Sequence, residues 1–353
     1  MNKKLSLSIY AFTTLFFVFF FLLPIWQTVQ EAFLAPDGSL TTAYFLEVFR
    51  NPLYVEGLVN SFYMGLFTTI VCLLIALPLA LVSNTWQFRG KEILNSLLLI
   101  PLILPPFVGA LGVRQFLGQA GVLNSLLIDL GIMDASNPFD WLGEGRLAGI
   151  VLMNALHLYP IAYLNITAAL ANLDPAMEEA AENLGCTGLR RLFRITFPLI
   201  MPGLFAGATI IFIWSFTELG VPLIFDFDRV TSVQIFDGIK DLSGNPFPYA
   251  LVVVMLVATV IFYLIGKWLF GRDNFATSGR ASTGRTLRVA SPLVSALCVG
   301  LFGLVTFVAV LPHLGVILLS LSNDWYGTIL PTSLTGQHYE DALGHRSTRS
   351  PIR

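Results

Sequence analysis

Glu179-Ala180-Ala181-Glu182-Asn183-Leu184-Gly185, followed after nine residues by Ile195-Thr196-Phe197-Pro198, lies between two long apolar runs at about 147–171 and 199–225. The stretch is hydrophilic on both sides of its glycine. A polar segment that leaves an apolar environment, turns at a glycine and returns at a proline is built to meet something in water. Its neighbours therefore decide the fold.

Working outward, the composition leaves one solvent for most of the chain. Hydrophobic residues make up 55% of the 353, charged residues 12%, and the mean hydropathy is +0.75. A soluble domain carries about 25% charged residues, so a bilayer must cover the apolar excess. Seven stretches have the roughly 20 residues needed to cross one: about 5–26, 59–82, 93–113, 147–171, 199–225, 249–270 and 289–321. Backbone polar groups have no partner in hydrocarbon, so each is expected to be helical. The fold class is all-α, a polytopic membrane helix bundle of about seven transmembrane helices. The first run continues to about Ile25 without a small-residue cleavage site, which reads as an uncleaved span. A net charge of −2 gives no reason to expect nucleic acid. Cys72, Cys186 and Cys298 form no disulfide framework and read as packing residues.

Orientation follows from lysine and arginine. With a cytosolic N-terminus, the inner segments carry Lys3, Lys4, Arg89, Lys91, Arg190, Arg191, Arg194, Lys267, Arg272, Arg280, Arg285 and Arg288. The outer loops carry Arg50, Arg114, Arg146, Arg229 and Lys240. The bias puts 172–198 in the cytosol. There Asp174-Pro175 reads as an N-cap and first helical residue, and Met177 to Leu184 as a short helix with Glu178, Glu179 and Glu182 favoured by its dipole. Gly185 ends that helix. A second, basic helix from Gly188 to Arg194 is expected to lead to Pro198, where the next span starts.

This spacing and setting resemble the EAA loop of binding-protein-dependent ABC-importer permeases. The resemblance covers roughly 55–270, and Phe197 stands where the family form has leucine. It implies that Glu179, Ala180, Ala181, Gly185, Ile195 and Pro198 belong to a loop that couples the chain to a separate ATPase subunit. The alanines would allow close approach, Glu179 a charged contact and Gly185 the bend. It implies a periplasmic or lipid-anchored binding protein as a further partner, and the inner (plasma) membrane of a bacterium as the location. No enzyme chemistry, cofactor or metal site is expected. A P-loop is missing, since Gly90-Lys91 runs into Glu92 and Gly266-Lys267 into Trp268.

Polar groups inside a bilayer are costly and mark function. Span four holds Asn154, His157, Tyr159 and Asn165; span five holds Ser215, Thr217 and Glu218. Glu218, Tyr159 and Asn154 are the candidates for a translocation path. Glu218 either faces that path, is satisfied by a neighbouring helix, or lies near the outer interface. His157 reads as an interhelical hydrogen bond. Pro101, Pro105, Pro106, Pro202 and Pro222 interrupt spans three and five, freeing carbonyls. Gly203 and Gly207 form a Gly-x-x-x-Gly pair for close helix approach. The outer segment 115–132 reads as a short amphipathic helix.

The end of the chain echoes its beginning. Leu23-Pro24 returns as Leu311-Pro312, and Ser39-Leu40-Thr41 as Ser333-Leu334-Thr335. The layout resembles the fused double permeases of the ferric-iron type, with only the opening of a second half present, and implies a second permease half or subunit as partner. The expected divisions are 1–58, first span and outer loop; 59–270, permease core; 271–288, linker; and 289–353, seventh span and partial second repeat. Ferric iron is the favoured solute, with polyamines, thiamine, sulfate-like anions or phosphonates as alternatives. A secondary transporter or channel driven by an ion gradient is the competing function; Glu218 and His157 would have to form its relay. A seven-helix receptor or pump lacks a lysine in span seven for a Schiff base.

Overall fold

The expected spans become helices wherever the sequence lets the backbone continue. The computed structural model describes residues 3–35, 37–142, 147–240, 246–270 and 287–343. In chain order the helices are α1 (Leu5–Glu31), α2 (Ala43–Arg50), α3 (Pro52–Thr85), α4 (Lys91–Leu97), α5 (Pro106–Leu117), α6 (Val122–Asp129), α7 (Leu147–Ala171), α8 (Pro175–Asn183), α9 (Gly188–Phe216), α10 (Gly220–Ile224), α11 (Thr231–Lys240), α12 (Phe247–Phe270), α13 (Pro292–Ser320) and α14 (Gln337–Leu343). Two short strands, β1 (Trp86–Gln87) and β2 (Arg288–Val289), pair in parallel. Among the described residues six helices, α1, α3, α7, α9, α12 and α13, are long and apolar enough to cross a membrane, or seven if a bent helix pair is counted as one span. The linker expected at 271–288 lies outside the described residues up to 286, as do Arg146 and the terminal 344–353.

Three expectations are corrected. The run 93–113 is not one helix: Lys91–Leu102 and Pro106–Asp129 meet at 92°. Pro101, Pro105 and Pro106 cannot donate to a helical ladder, and Pro105 sits extended at φ −59°, ψ 139°. Span five ends at Phe216, and α10 follows as a separate turn. No break separates the basic segment after Gly188 from the next span. A π-turn at Leu192–Thr196 carries the chain into Phe197 and past Pro198, so α9 is continuous. A wider turn just before a proline absorbs its missing donor and its ring.

The chain folds as two compact units. The first holds Met1–Tyr63 and Asp228–Ile265. Its core is Val48, Ala250 and Leu251, packed by Tyr44, Tyr54 and Leu58. A polar belt joins the start of α3 to α11: Arg229 pairs with Glu56 at 2.9 Å, and Gln234 Nε2 donates to Leu53 O at 2.9 Å. Within this unit the apolar window of α1 is 0% buried.

The second unit holds Met64–Phe227 and Gly266–Arg353. Its axis is α7, apolar all round and therefore central. Tyr159, Ala162, Ile166 and Leu170 pack with Leu79, Ile200, Ile211 and Phe302. The Gly203/Gly207 pair meets α7, as a small-residue pair should. A β-carbon at Gly203 would stand 2.5 Å from Ala169 Cβ, and one at Gly207 would stand 3.3 Å from Ala162 Cα. On the other side, Gly112 of α5 touches the Pro312 carbonyl of α13, and Gly315 takes the Phe116 ring.

The two stretches that echo each other in sequence make similar local contacts. Leu34 bridges Leu40 and Ser322 bridges Leu334, both antiparallel. Thr41 N donates to Phe33 O at 2.9 Å, and Thr335 N to Leu321 O at 2.7 Å. The Thr41 and Thr335 hydroxyls each accept at 3.1 Å from the first amide of the following helix, Ala43 N and Gln337 N.

Candidate functional site

The polar knuckle at 174–198 is fixed at every joint. Asp174 caps α8, its carboxylate accepting from Ala176 N at 2.9 Å, with Pro175 as the first helical residue. At the far end Gly185 has φ +78°. Cys186 N donates to Ala181 O at 2.9 Å and Gly185 N to Glu182 O at 2.9 Å, the two bonds of a Schellman closure. The acidic residues divide their work. Glu178 turns inward and accepts from the Thr196 hydroxyl of α9 at 3.1 Å. Glu182 does not sit at the favourable end of the dipole as expected; it lies in the last turn and is held by Arg191. Glu179 and Ala180 are exposed, whereas Ala181 is buried against the body. Ile195 and Pro198 are half-buried in α9. A cavity of about 170 Å³ opens beside the knuckle, lined by Thr85, Pro175, Glu178, Glu179, Glu182, Arg191 and Arg288.

Sequence reasoning missed the exposed apolar side chains of the knuckle. Leu184 is 88% exposed, Leu189 73% and Phe193 65%. Exposed apolar side chains on a polar loop mark a candidate contact surface. The signal was present as leucines and phenylalanine interleaved with Arg190, Arg191 and Arg194.

The intramembrane candidates separate into three kinds. Tyr159 is fully buried, and its hydroxyl donates to Leu98 O at 2.8 Å. His157 Nδ1 donates to Pro101 O at 2.7 Å, and Tyr163 to Asn95 Oδ1 at 2.8 Å. Side chains of α7 thus satisfy the broken span between α4 and α5, including carbonyls freed by the prolines. Tyr159→Phe should leave Leu98 O unsatisfied and lower stability by about 1 kcal/mol. Thermal unfolding in detergent checks this; an unchanged midpoint would remove the bracing role. Asn154 is buried, and neither side-chain amide atom has a hydrogen-bond partner among the described residues; the same holds for Ser215 Oγ on α9. Glu218 follows the end of α9, and its Oε1 accepts from Gly220 N at 2.9 Å and Val221 N at 3.3 Å, capping α10. It lines a cavity of about 450 Å³ with Ile210, Ile213, Trp214 and Thr217. A second cavity, about 570 Å³, is lined by Arg114, Gln115, Gln119, Asp140, Phe225 and Tyr326. Arg114 pairs there with Asp226 at 3.2 Å, and Asp226 closes α10 at φ +52°.

Known proteins share both sequence and shape with this chain. Residues 73–272 match the family described as "Binding-protein-dependent transport system inner membrane component". The chain is 31% identical over 280 residues to the spermidine/putrescine transport system permease protein PotB of Haemophilus influenzae, covering 76% of this chain and 96% of that one. It is 28% identical to the putative ferric transport system permease protein FbpB 1 of the same organism, over 69% of this chain and 37% of that longer one. It is 25% identical to the putative 2-aminoethylphosphonate transport system permease protein PhnU of Salmonella typhimurium, over 71% and 85%. Among solved structures, a bacterial ABC transporter involved in the import of the acidic polysaccharide alginate overlays with a TM-score of 0.62 at 20% identity, covering 77% of this chain and 97% of that one. The alginate transporter in complex with a pentasaccharide-bound periplasmic protein overlays with a TM-score of 0.61 at 18% identity, covering 80% and 98%.

Proposed function

This chain belongs to the family of binding-protein-dependent transport system inner membrane components and is a multi-pass permease subunit of an ABC importer, and from that premise we propose that it moves a small cationic solute using ATP hydrolysed by a separate subunit. The observation that carries the reading is the capped knuckle with its exposed Leu184, Leu189 and Phe193. In this proposal Glu179, Ala180, Ala181, Gly185, Ile195 and Pro198 form the coupling loop, and the apolar tip enters a cleft of the ATPase. Substrate arrives on a periplasmic or lipid-anchored binding protein. A second permease half or subunit supplies the other coupling loop, and residues 289–343 are read as the opening of a second repeat, which the matching local hydrogen bonds of Thr41 and Thr335 support.

A cationic solute is supported by Glu218 and the Trp214 ring beside one cavity, since carboxylates and aromatic faces both attract cations. Ferric iron is the expectation from the fused layout. A polyamine is the second reading, favoured by the 31% identity along nearly all of a spermidine/putrescine permease. Co-purification should recover a P-loop ATPase with the chain, and vesicles containing both, with the binding protein, should take up radiolabelled spermidine or ferric iron but not 2-aminoethylphosphonate. Uptake of the phosphonate alone would reverse the charge assignment.

The path itself is tested by Glu218→Cys in a background without Cys72, Cys186 and Cys298. A membrane-impermeant thiol reagent should label it from one side, and the solute should slow labelling several-fold. Complete protection in every transport state would take Glu218 off the path and leave it as the cap of α10.

A further inference from the structure

We infer that Arg288 is a positioning residue for α8, and that α13 is a second limb through which displacement of the coupling helix reaches the membrane. The inference rests on the coupling-loop reading and adds a part to it. A nine-residue helix does not hold its own place in water. The joints of α8 to its own loop and to α9 are Asp174, Gly185, Glu178 with Thr196, and Glu182 with Arg191. A contact also comes from farther along the chain: Arg288 Nη2 stands 3.9 Å from Glu182 Oε1. The same oxygen takes Arg191, so one carboxylate joins α8 to two different spans.

Arg288 is itself held. β2 pairs with β1, setting Arg288 opposite Trp86 and Val289 opposite Gln87, and Ala290 N donates to Gln87 O at 3.0 Å. Ser291 then caps α13. Phe302 of that helix meets Phe88 edge-on at 5.4 Å. Further along, α13 is locked to α5 at Gly112 and Gly315, and beyond it Gln115 Nε2 donates to Trp325 O at 2.9 Å. A helix of 29 residues spans about 43 Å at 1.5 Å per residue. The contacts run without a gap from the cavity carrying Arg114 and Gln115, down α13, to Glu182 on α8. An exposed ion pair contributes little stability. The role of Arg288 is therefore to set the position of α8 relative to α13, and its loss shows in force transfer rather than in folding.

The experiment uses the intact chain in vesicles with its ATPase and binding protein. ATPase retention, ATP hydrolysis, and uptake of radiolabelled spermidine and of ferric iron are measured together. Arg288→Glu sets a second carboxylate against Glu182 and should lower solute moved per ATP about threefold or more, with the ATPase still bound. Arg288→Lys should restore at least half of the wild-type ratio, because the charge is kept. Leu184→Asp, which spoils the apolar tip, should release the ATPase. An unchanged ratio in Arg288→Glu while Leu184→Asp releases the ATPase overturns the role of Arg288 and leaves the docking reading standing. Full ATPase retention by Leu184→Asp overturns the docking reading itself. Equal loss in Arg288→Lys and Arg288→Glu also overturns the proposal, since packing rather than charge would then be responsible. Should Arg288→Glu fail to reach the membrane, Arg288→Gln takes its place, with a smaller fall in the same ratio expected.

Discussion

Gly185→Val should reduce solute uptake tenfold or more while leaving the chain in the membrane. Gly185 stands at φ +78°, and nothing lies within 4 Å of where its β-carbon would be. The substitution therefore tests backbone conformation alone. An L-residue in the left-handed region costs about 1–2 kcal/mol, and a β-branched one is a rare outlier there. That is enough to open the closure made by Cys186 N on Ala181 O and Gly185 N on Glu182 O. Once it opens, α8 frays from the end that carries Leu184 and Glu182. A graded series isolates the cause: Asn, which tolerates this region, should retain most activity, Ala should fall between, and Val should be lowest. Uptake per ATP and ATPase retention are the measurements. Wild-type values for Val in both would mean that the bend at Gly185 plays no part in coupling.

The sequence exposed the parts of this fold whose causes are local. Seven apolar runs were legible because bilayer thickness sets their length. The knuckle was legible because caps and closures are written in single residues, here Asp174, Pro175 and Gly185. The breaks at Pro101, Pro105 and Pro106 were visible as prolines, but the 92° turn depends on which neighbours donate to the freed carbonyls. Those neighbours, His157 and Tyr159, lie more than fifty residues away. The end of span five was missed because Glu218 reads as a polar intruder in an apolar run; its carboxylate stops one helix and starts another. Glu182 was misread for a similar reason. Its partners Arg191 and Arg288 belong to other elements, and the helix dipole is a weaker influence than an adjacent guanidinium.

Gly112→Ala should unseat α13 and destabilise the chain by about 3 kcal/mol, the upper part of the range for an overfilled contact. A β-carbon at Gly112 would overlap the backbone carbonyl of Pro312, and a backbone carbonyl cannot swing aside as a side-chain tip can. Alanine is otherwise the better helix former, worth about 0.5–1 kcal/mol over glycine, so loss of stability on this substitution reports the contact alone. Gly300 and Gly303 on α13 provide the control: nothing lies within 4 Å of either, and Gly300→Ala or Gly303→Ala should leave the melting midpoint unchanged or slightly raised. The consequence extends beyond α5. α13 is continuous from Pro292, next to the strand that holds Arg288, past Pro312 to Ser320. Moving it off Gly112 should draw Arg288 from Glu182, so Gly112→Ala should also lower solute moved per ATP, in the same direction as Arg288→Glu. Thermal unfolding and the coupling ratio are measured on one preparation. A midpoint equal to wild type would show that α5 and α13 do not touch at this point, and the limb from the membrane to the knuckle would lose its upper anchor.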